Sequence, residues 1–181
     1  MIRFFPRWIL SLSEEILIKA SELIEVSYFE GKTFGFAESL TGGMISSSVV
    51  DVPGASKAFK GSVVSYTNGI KENVLGVPAE IIDLYNEVSD ECARAMAEGA
   101  FSLLGVDLAI SVTGIAGPTG DLPGKPVGTV YMGYCLRNDS GPDVLSGSIR
   151  LNFNGDRDTI RCNTVLAALK LAVKLIKEGK V

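Results

Sequence analysis

The stretch Ala37-Glu38-Ser39-Leu40-Thr41-Gly42-Gly43 is the part of this chain that says most about its fold. It follows a short apolar run, residues 33–37, which predicts a buried strand. It precedes residues 44–50, which can continue as a helix. Ser39 is therefore expected at the carboxyl end of a strand, where open α/β sheets bind their ligands.

Thr41, Gly42 and Gly43 are expected to begin the helix, where backbone N–H groups are unpaired and the helix dipole is positive. A serine hydroxyl beside such donors is the minimum for a nucleophile with an oxyanion hole. On these residues alone an alternative stays open. Ser39 or Thr41 could simply cap the helix, with the glycines forming a turn.

Composition restricts the classes of protein that fit this sequence. The 181 residues are 46% hydrophobic and 21% charged, which predicts a single folded domain over residues 1–181. A net charge of −4 argues against a broad nucleic-acid surface. No stretch has membrane-spanning length and no signal sequence is evident, so a cytoplasmic protein without a membrane partner is predicted. The apolar first ten residues are expected to form a packing arm.

Histidine is absent from the chain. A Ser-His-Asp triad, a Cys-His pair and a His-ligated metal site are therefore excluded. The three cysteines are far apart and are predicted to be structural thiols in a reducing compartment. An enzyme with this sequence must rely on serine, threonine, lysine, tyrosine or carboxylates, and no metal site is predicted.

The remaining pattern predicts alternating helices and strands. Helices are expected from Ser13 to about residue 30, then over 70–75, 79–85, 90–104 and about 155–177. Further strands are expected over 61–67 and 107–113, with an antiparallel pair at 127–136 and 144–151. This order predicts an α/β fold, a three-layer α/β/α sandwich with a mixed, mostly parallel sheet.

Three loops follow apolar strands: the Ser39 turn, residues 66–71 and residues 113–120. If the strands are parallel neighbours, these loops meet at one edge of the sheet and bring Ser39, Tyr66, Asn68 and Lys71 together. Lysine becomes a working base if burial lowers its pKa from about 10.4 to roughly 7–8, and Tyr66 could relay the proton. The alternative is a solvated Lys71 and a Tyr66 hydroxyl at the rim.

Anion binding is the second chemistry that these loops indicate. The glycine-rich loop after the 107–113 strand, with Thr113, Gly114 and Gly117, resembles a nest of backbone N–H groups. Lys125 lies just beyond it and adds positive charge. Arg157, at the start of the last helix, could hold a phosphate together with such donors. An exposed Arg157 with little role is the alternative.

Five segments occur in an order that resembles the CinA C-terminal domain family. They are AESLTGG at 37–43, YTNGIK at 66–71, TGIAGP at 113–118, KPVGTV at 125–130 and GDR at 155–157. The family comprises competence/damage-inducible proteins, and its members include nicotinamide-nucleotide amidases. The resemblance covers about residues 14–177.

The resemblance implies hydrolysis of the carboxamide of nicotinamide mononucleotide to nicotinate mononucleotide and ammonia, with no cofactor. The serine of the family's AES motif falls on Ser39, and the tyrosine and lysine of its Y[ST]NxxK motif fall on Tyr66 and Lys71. A small nucleotide substrate and a homo-oligomer are expected. The candidate oxyanion and substrate-binding residues are Thr41, Gly42, Gly43, Asn68, Thr113, Gly114, Gly117 and Arg157.

The chain also departs from the family pattern. Thr119 stands where another glycine is usual, the loop before the KPVG segment is shorter, and Asn86-Glu87-Val88-Ser89 replaces the usual Gly-Ala-Val-Ser. These changes bear on pocket shape and substrate preference. The N-terminal molybdopterin-binding-like domain of many members is expected to be absent. A non-catalytic nucleotide sensor or partner-binding domain remains the alternative function.

Overall fold

A computed structural model describes residues 11–138, 141 and 143–180, so the packing arm expected at residues 1–10 lies outside the described residues. The helices are α1 Leu12–Phe29, α2 Met44–Val50, α3 Asn68–Leu75, α4 Ala79–Tyr85, α5 Asp90–Leu104 and α6 Arg157–Glu178. The strands are β1 Phe34–Glu38, β2 Phe59–Val64, β3 Leu108–Gly114, β4 Thr129–Arg137 and β5 Val144–Asn152. A short 3₁₀ turn lies at Ala55–Lys57.

The five strands form one mixed sheet in the order β2-β1-β3-β4-β5. Strand β1 pairs in parallel with both β2 and β3, whereas β4 and β5 are antiparallel additions beyond β3. The carboxyl ends of β2, β1 and β3 therefore lie side by side at one edge. The predicted three-layer α/β/α fold with a mixed sheet is confirmed.

Each face of the sheet buries its own layer of helices. Alternation along β3 directs Leu108, Ile110 and Val112 into a core shared with α1, α2 and α6, while Ala109 belongs to a second core with α5. Helix α5 lies very close to β4, because a Cβ on Gly133 would be 2.0 Å from the Ala93 carbonyl oxygen. A glycine at position 133 is what permits this approach.

Local signals account for most element boundaries, and three predicted details are wrong. Helix α1 is capped by Ser11, in a capping box with Glu14, rather than by Ser13. Strand β2 ends at Val64 instead of continuing to residue 67. Helix α3 begins at Asn68, because Thr67 already provides the extended cap residue. Within the described ranges, the helices lack the combination of length and apolar character needed to cross a bilayer.

Candidate functional site

A cavity of about 220 Å³ lies at the carboxyl ends of the three parallel strands. Its wall combines a serine, a lysine, a carboxylate and a guanidinium with small and apolar groups. All three loops that the sequence predicted to meet at one sheet edge contribute to it. The lining residues are Ser39, Leu40, Tyr66, Asn68, Lys71, Glu87, Val88, Thr113, Gly114, Ala116 and Arg157.

Ser39 and Lys71 are in contact inside this cavity. The Nζ atom of Lys71 lies 3.3 Å from the Oγ atom of Ser39 and donates a hydrogen bond to the Ser65 carbonyl oxygen at 2.8 Å. Ser65 is itself tied to β1, because its N–H donates to the Glu38 carbonyl oxygen. The end of β2 therefore holds the amine against the serine that follows β1.

Lys71 is completely buried although it carries an ionisable amine. Burial lowers the pKa of Lys71, while negative charge on Cys92 and Glu87 opposes that shift. Burial also raises the pKa of Cys92 to about 11, so that thiol is uncharged at neutral pH. The Glu87 carboxylate is then the opposing charge, and the neutral amine that a base requires is favoured by burial.

The turn after β1 is organised by the buried carboxylate of Glu38. One oxygen accepts hydrogen bonds from the Thr41 hydroxyl and the N–H groups of Gly43 and Ile45, at 2.8–3.1 Å. The other accepts from the N–H and hydroxyl of Ser46. Glu38 therefore satisfies the N-terminal donors of α2, and neither Ser39 nor Thr41 caps that helix.

The residues predicted to donate hydrogen bonds to the oxyanion consequently lie outside the cavity wall. Thr41, Gly42 and Gly43 do not line the cavity, the Gly42 N–H donates to the Ser39 carbonyl oxygen, and the Gly43 N–H is taken by Glu38. In contrast, Leu40 lines the cavity, and its N–H donates to no acceptor within the described part of the chain. The geometry favours the Leu40 N–H over those of the two glycines.

Arg157 and Tyr66 meet at the rim of the cavity. The Arg157 guanidinium donates to the Gly117 carbonyl oxygen at 2.9 Å and, more weakly, to the Tyr66 hydroxyl at 3.4 Å. Tyr66 is 58% exposed. Gly117 does not line the cavity but anchors Arg157 through its carbonyl. These contacts place Tyr66 beside the guanidinium, and a proton relay between Ser39 and Lys71 gains no support from them.

The remaining predicted residues, Asn68, Thr113 and Gly114, also line the cavity. The Thr113 hydroxyl donates to the Glu87 carbonyl oxygen at 2.7 Å. Lys125 does not line the cavity, and its amine donates to the carbonyl oxygens of Tyr85 and Val88.

Sequence reasoning missed two residues that shape this site. Glu87 lines the cavity and lies in a segment where the chain departs from the family pattern. Arg161 holds the Ser39 turn from α6, since its guanidinium donates to the carbonyl oxygens of Leu40 and Thr41. Its i,i+4 spacing from Arg157 was the signal that could have indicated this role. In the described residues no three Cys, Asp or Glu side chains cluster to hold a metal ion.

Fold and site together define an α/β/α protein with a buried serine–lysine pair at a sheet edge. Residues 19–176 match the model of the CinA C-terminal domain, and the chain belongs to that family. The CinA-like protein of Thermotoga neapolitana is 45% identical over 147 residues, which cover 81% of this chain and 34% of that protein. The CinA-like protein of Dictyoglomus thermophilum is 50% identical over 137 residues, which cover 76% of this chain and 32% of that protein.

The chain thus spans about a third of the length of these curated relatives. Solved structures agree with the fold. The competence/damage inducible protein CihA from Agrobacterium tumefaciens is 33% identical with a TM-score of 0.82, covering 96% of this chain and 99% of that one. The competence damage-inducible protein A from Klebsiella pneumoniae is 28% identical with a TM-score of 0.84, covering 91% and 99%.

Proposed function

We propose that this protein is a serine amidase that hydrolyses the carboxamide of nicotinamide mononucleotide to nicotinate mononucleotide and ammonia. The observation that carries the proposal is the buried amine of Lys71, 3.3 Å from the Ser39 hydroxyl oxygen. A nucleotide sensor needs no activated nucleophile, so this pair favours catalysis over binding alone.

The first half of the reaction forms an acyl-enzyme. Neutral Lys71 takes the hydroxyl proton of Ser39 as the Oγ atom attacks the carboxamide carbon. The N–H of Leu40 then stabilises the tetrahedral oxyanion. When the C–N bond breaks, the Lys71 ammonium returns a proton to the leaving nitrogen, and ammonia departs. Ser65 keeps the amine in place through both transfers, since its carbonyl accepts a hydrogen bond from Lys71 in either protonation state.

The second half releases the product acid. Lys71, neutral again, takes a proton from a water molecule that attacks the acyl carbon. The bond from that carbon to the Ser39 Oγ atom breaks, and the serine recovers its proton from Lys71. Nicotinate mononucleotide leaves as a carboxylate. All proton transfers use one lysine, which is consistent with a chain that lacks histidine.

The size of the cavity indicates how the nucleotide lies. About 220 Å³ is below the 300–1,000 Å³ typical of small-molecule sites, so the cavity accommodates the carboxamide end of the substrate. The rest extends across the rim, where Arg157 is placed to bind the phosphate. We expect this reaction in the cytoplasm, by a homo-oligomer whose state light scattering would establish.

The proposal is tested by incubating the protein with nicotinamide mononucleotide and measuring ammonia and nicotinate mononucleotide. Equal amounts of both products are expected from the unmodified chain. Binding of intact nucleotide with no ammonia release would instead favour the nucleotide sensor. Product formation that persists in Ser39→Ala would remove the covalent mechanism.

A further inference from the structure

Glu87 is a carboxylate in the cavity to which the mechanism above assigns no task. It is half-buried, and its side chain has no hydrogen bond or ion pair with any described residue. Placing an unpaired carboxylate in a partly enclosed site costs free energy. Such a group in a ligand cavity is a candidate for recognising a charged ligand.

The segment that carries Glu87 is held firmly from both sides. Thr113 donates to the Glu87 carbonyl oxygen, and Lys125 donates to the carbonyl oxygens of Tyr85 and Val88. Asn86 has φ 73° and ψ 160°, a conformation that is usual only for glycine. Its side-chain oxygen accepts from the Val88 N–H and closes the turn. These contacts fix the backbone from which the Glu87 side chain extends.

Charge is arranged unevenly around the cavity. Glu87 lines the same cavity as Ser39 and Lys71, so its carboxylate adds negative charge to the wall that holds the reacting pair. Arg157 contributes the positive charge at the rim, and no carboxylate among the described residues pairs with it. A ligand complementary to these two side chains carries positive charge toward Glu87 and negative charge toward Arg157.

We propose that Glu87 selects substrates whose carboxamide is carried on a cationic aromatic ring over those whose ring is neutral. The inference rests on the proposed function and names the residue that determines its specificity. A nicotinamide mononucleotide has this pattern, with a positive pyridinium ring next to the carboxamide and a negative phosphate beyond the ribose. A benzamide nucleotide with the same ribose phosphate lacks only the ring charge.

The test compares kcat/KM for nicotinamide mononucleotide and the benzamide mononucleotide in the unmodified protein, Glu87→Gln and Glu91→Gln. Glu91 is exposed on α5 outside the cavity, so its variant removes the same charge elsewhere. Glu87→Gln is expected to lower kcat/KM for the cationic substrate roughly 10- to 100-fold, because one partly screened attraction between opposite charges is lost. The benzamide value should change less than about 3-fold, and Glu91→Gln should alter neither.

An equal loss for both substrates, or no loss for either, would overturn the inference. Equal loss accompanied by a lower unfolding temperature would assign Glu87 a structural role. An equal change for both substrates with a pH profile moved to lower pH would assign it a role in tuning Lys71, because Glu87 opposes the lowering of that pKa. Neither effect depends on the charge of the substrate ring.

Calorimetric titration separates this inference from the proposed function. In Ser39→Ala, the cationic nucleotide should bind more tightly than the benzamide nucleotide, and adding Glu87→Gln should remove that preference. Binding with this preference but without turnover in the unmodified protein would remove the amidase and keep the inference. Equal affinities in Ser39→Ala, or no binding of either nucleotide, would contradict the inference directly.

Discussion

Thirty-two positions separate Lys71 from Ser39, yet the amine nitrogen of the first lies 3.3 Å from the hydroxyl oxygen of the second. The parallel pairing of β1 with β2 produces this contact, because both strands end at the same edge of the sheet. Helix α3 then returns Lys71 toward the end of β1. The position of the base that we propose thus follows from strand topology.

Replacing Lys71 should remove activity without lowering the stability of the fold. Lys71→Met keeps the length and apolar stem of the side chain, so the buried site stays filled. Amide hydrolysis should fall at least about 10³-fold, as expected for one member of a nucleophile–base pair. The free energy of unfolding should stay equal or rise, because a buried amine is lost. Ammonia release and urea denaturation measure the two quantities.

A matched control is Lys174→Met, which replaces an exposed lysine on α6. It should leave activity unchanged. Full activity in Lys71→Met would show that another group removes the Ser39 proton.

Stability should depend on pH through Lys71. Its pKa is lower in the folded chain than in the unfolded one, so the unfolded state binds more protons between those two values. The free energy of unfolding contributed by Lys71 therefore rises as pH increases from its folded pKa toward about 10.4. The difference in unfolding free energy between the unmodified chain and Lys71→Met should narrow over that interval. A difference that stays constant with pH would contradict a lowered pKa.

The turn that presents Ser39 should depend on Glu38. In Glu38→Gln the amide nitrogen cannot accept hydrogen bonds, so donors among Gly43, Ile45 and Ser46 lose their acceptor. At about 1–3 kcal/mol for each buried unsatisfied donor, two such losses should destabilise the chain by roughly 2–6 kcal/mol. Chemical denaturation measures this change.

Glu25→Gln serves as the control for Glu38→Gln, since Glu25 is exposed on α1. Its effect should be within about 0.5 kcal/mol. Equal stability of the two variants would show that Glu38 does not organise the turn.

The family resemblance and the structure assign different roles to Tyr66. The family resemblance makes it catalytic, whereas its side-chain hydrogen bond in the structure is with Arg157 at the rim. If Tyr66 positions Arg157, Tyr66→Phe should raise KM about 2- to 10-fold, the range of one long, exposed hydrogen bond, with kcat nearly unchanged. A fall in kcat of about 100-fold with KM unchanged would restore the proton relay.

Much of the fold could be predicted because it depends on local signals. Ser89 before an apolar helical pattern identifies α5, and the continuous apolar run of β3 identifies a central strand. Ser11 lies three residues before Glu14, which is the spacing of a capping box, so the sequence already favoured Ser11 over Ser13 and the predicted cap overlooked this signal. The predicted β2 extends too far because the residues after Val64 also suit a strand.

The parts of the site that depend on where strands end could be predicted. The parts that depend on which side chain accepts a given backbone N–H were harder to predict. The contact of Ser39 with Lys71 follows from topology. From the sequence, Glu38 suits a solvated carboxylate as well as one that satisfies the start of α2, so its use of the Gly43 N–H stayed open. Only the folded chain shows that the Glu38 side chain is fully buried.

Glu87 was missed for a related reason. Its place in the cavity depends on the contacts that Thr113 and Lys125 make with the backbone of residues 85–88, from positions at least 26 residues further along the chain. No local pattern in the sequence reports such contacts.

The most direct test of the central claim is the release of ammonia from nicotinamide mononucleotide by the unmodified chain, Ser39→Ala and Lys71→Met, measured side by side. The account predicts stoichiometric ammonia and nicotinate mononucleotide from the unmodified chain, and a loss of at least about 10³-fold in each variant. Equal rates of ammonia release from all three proteins would contradict it.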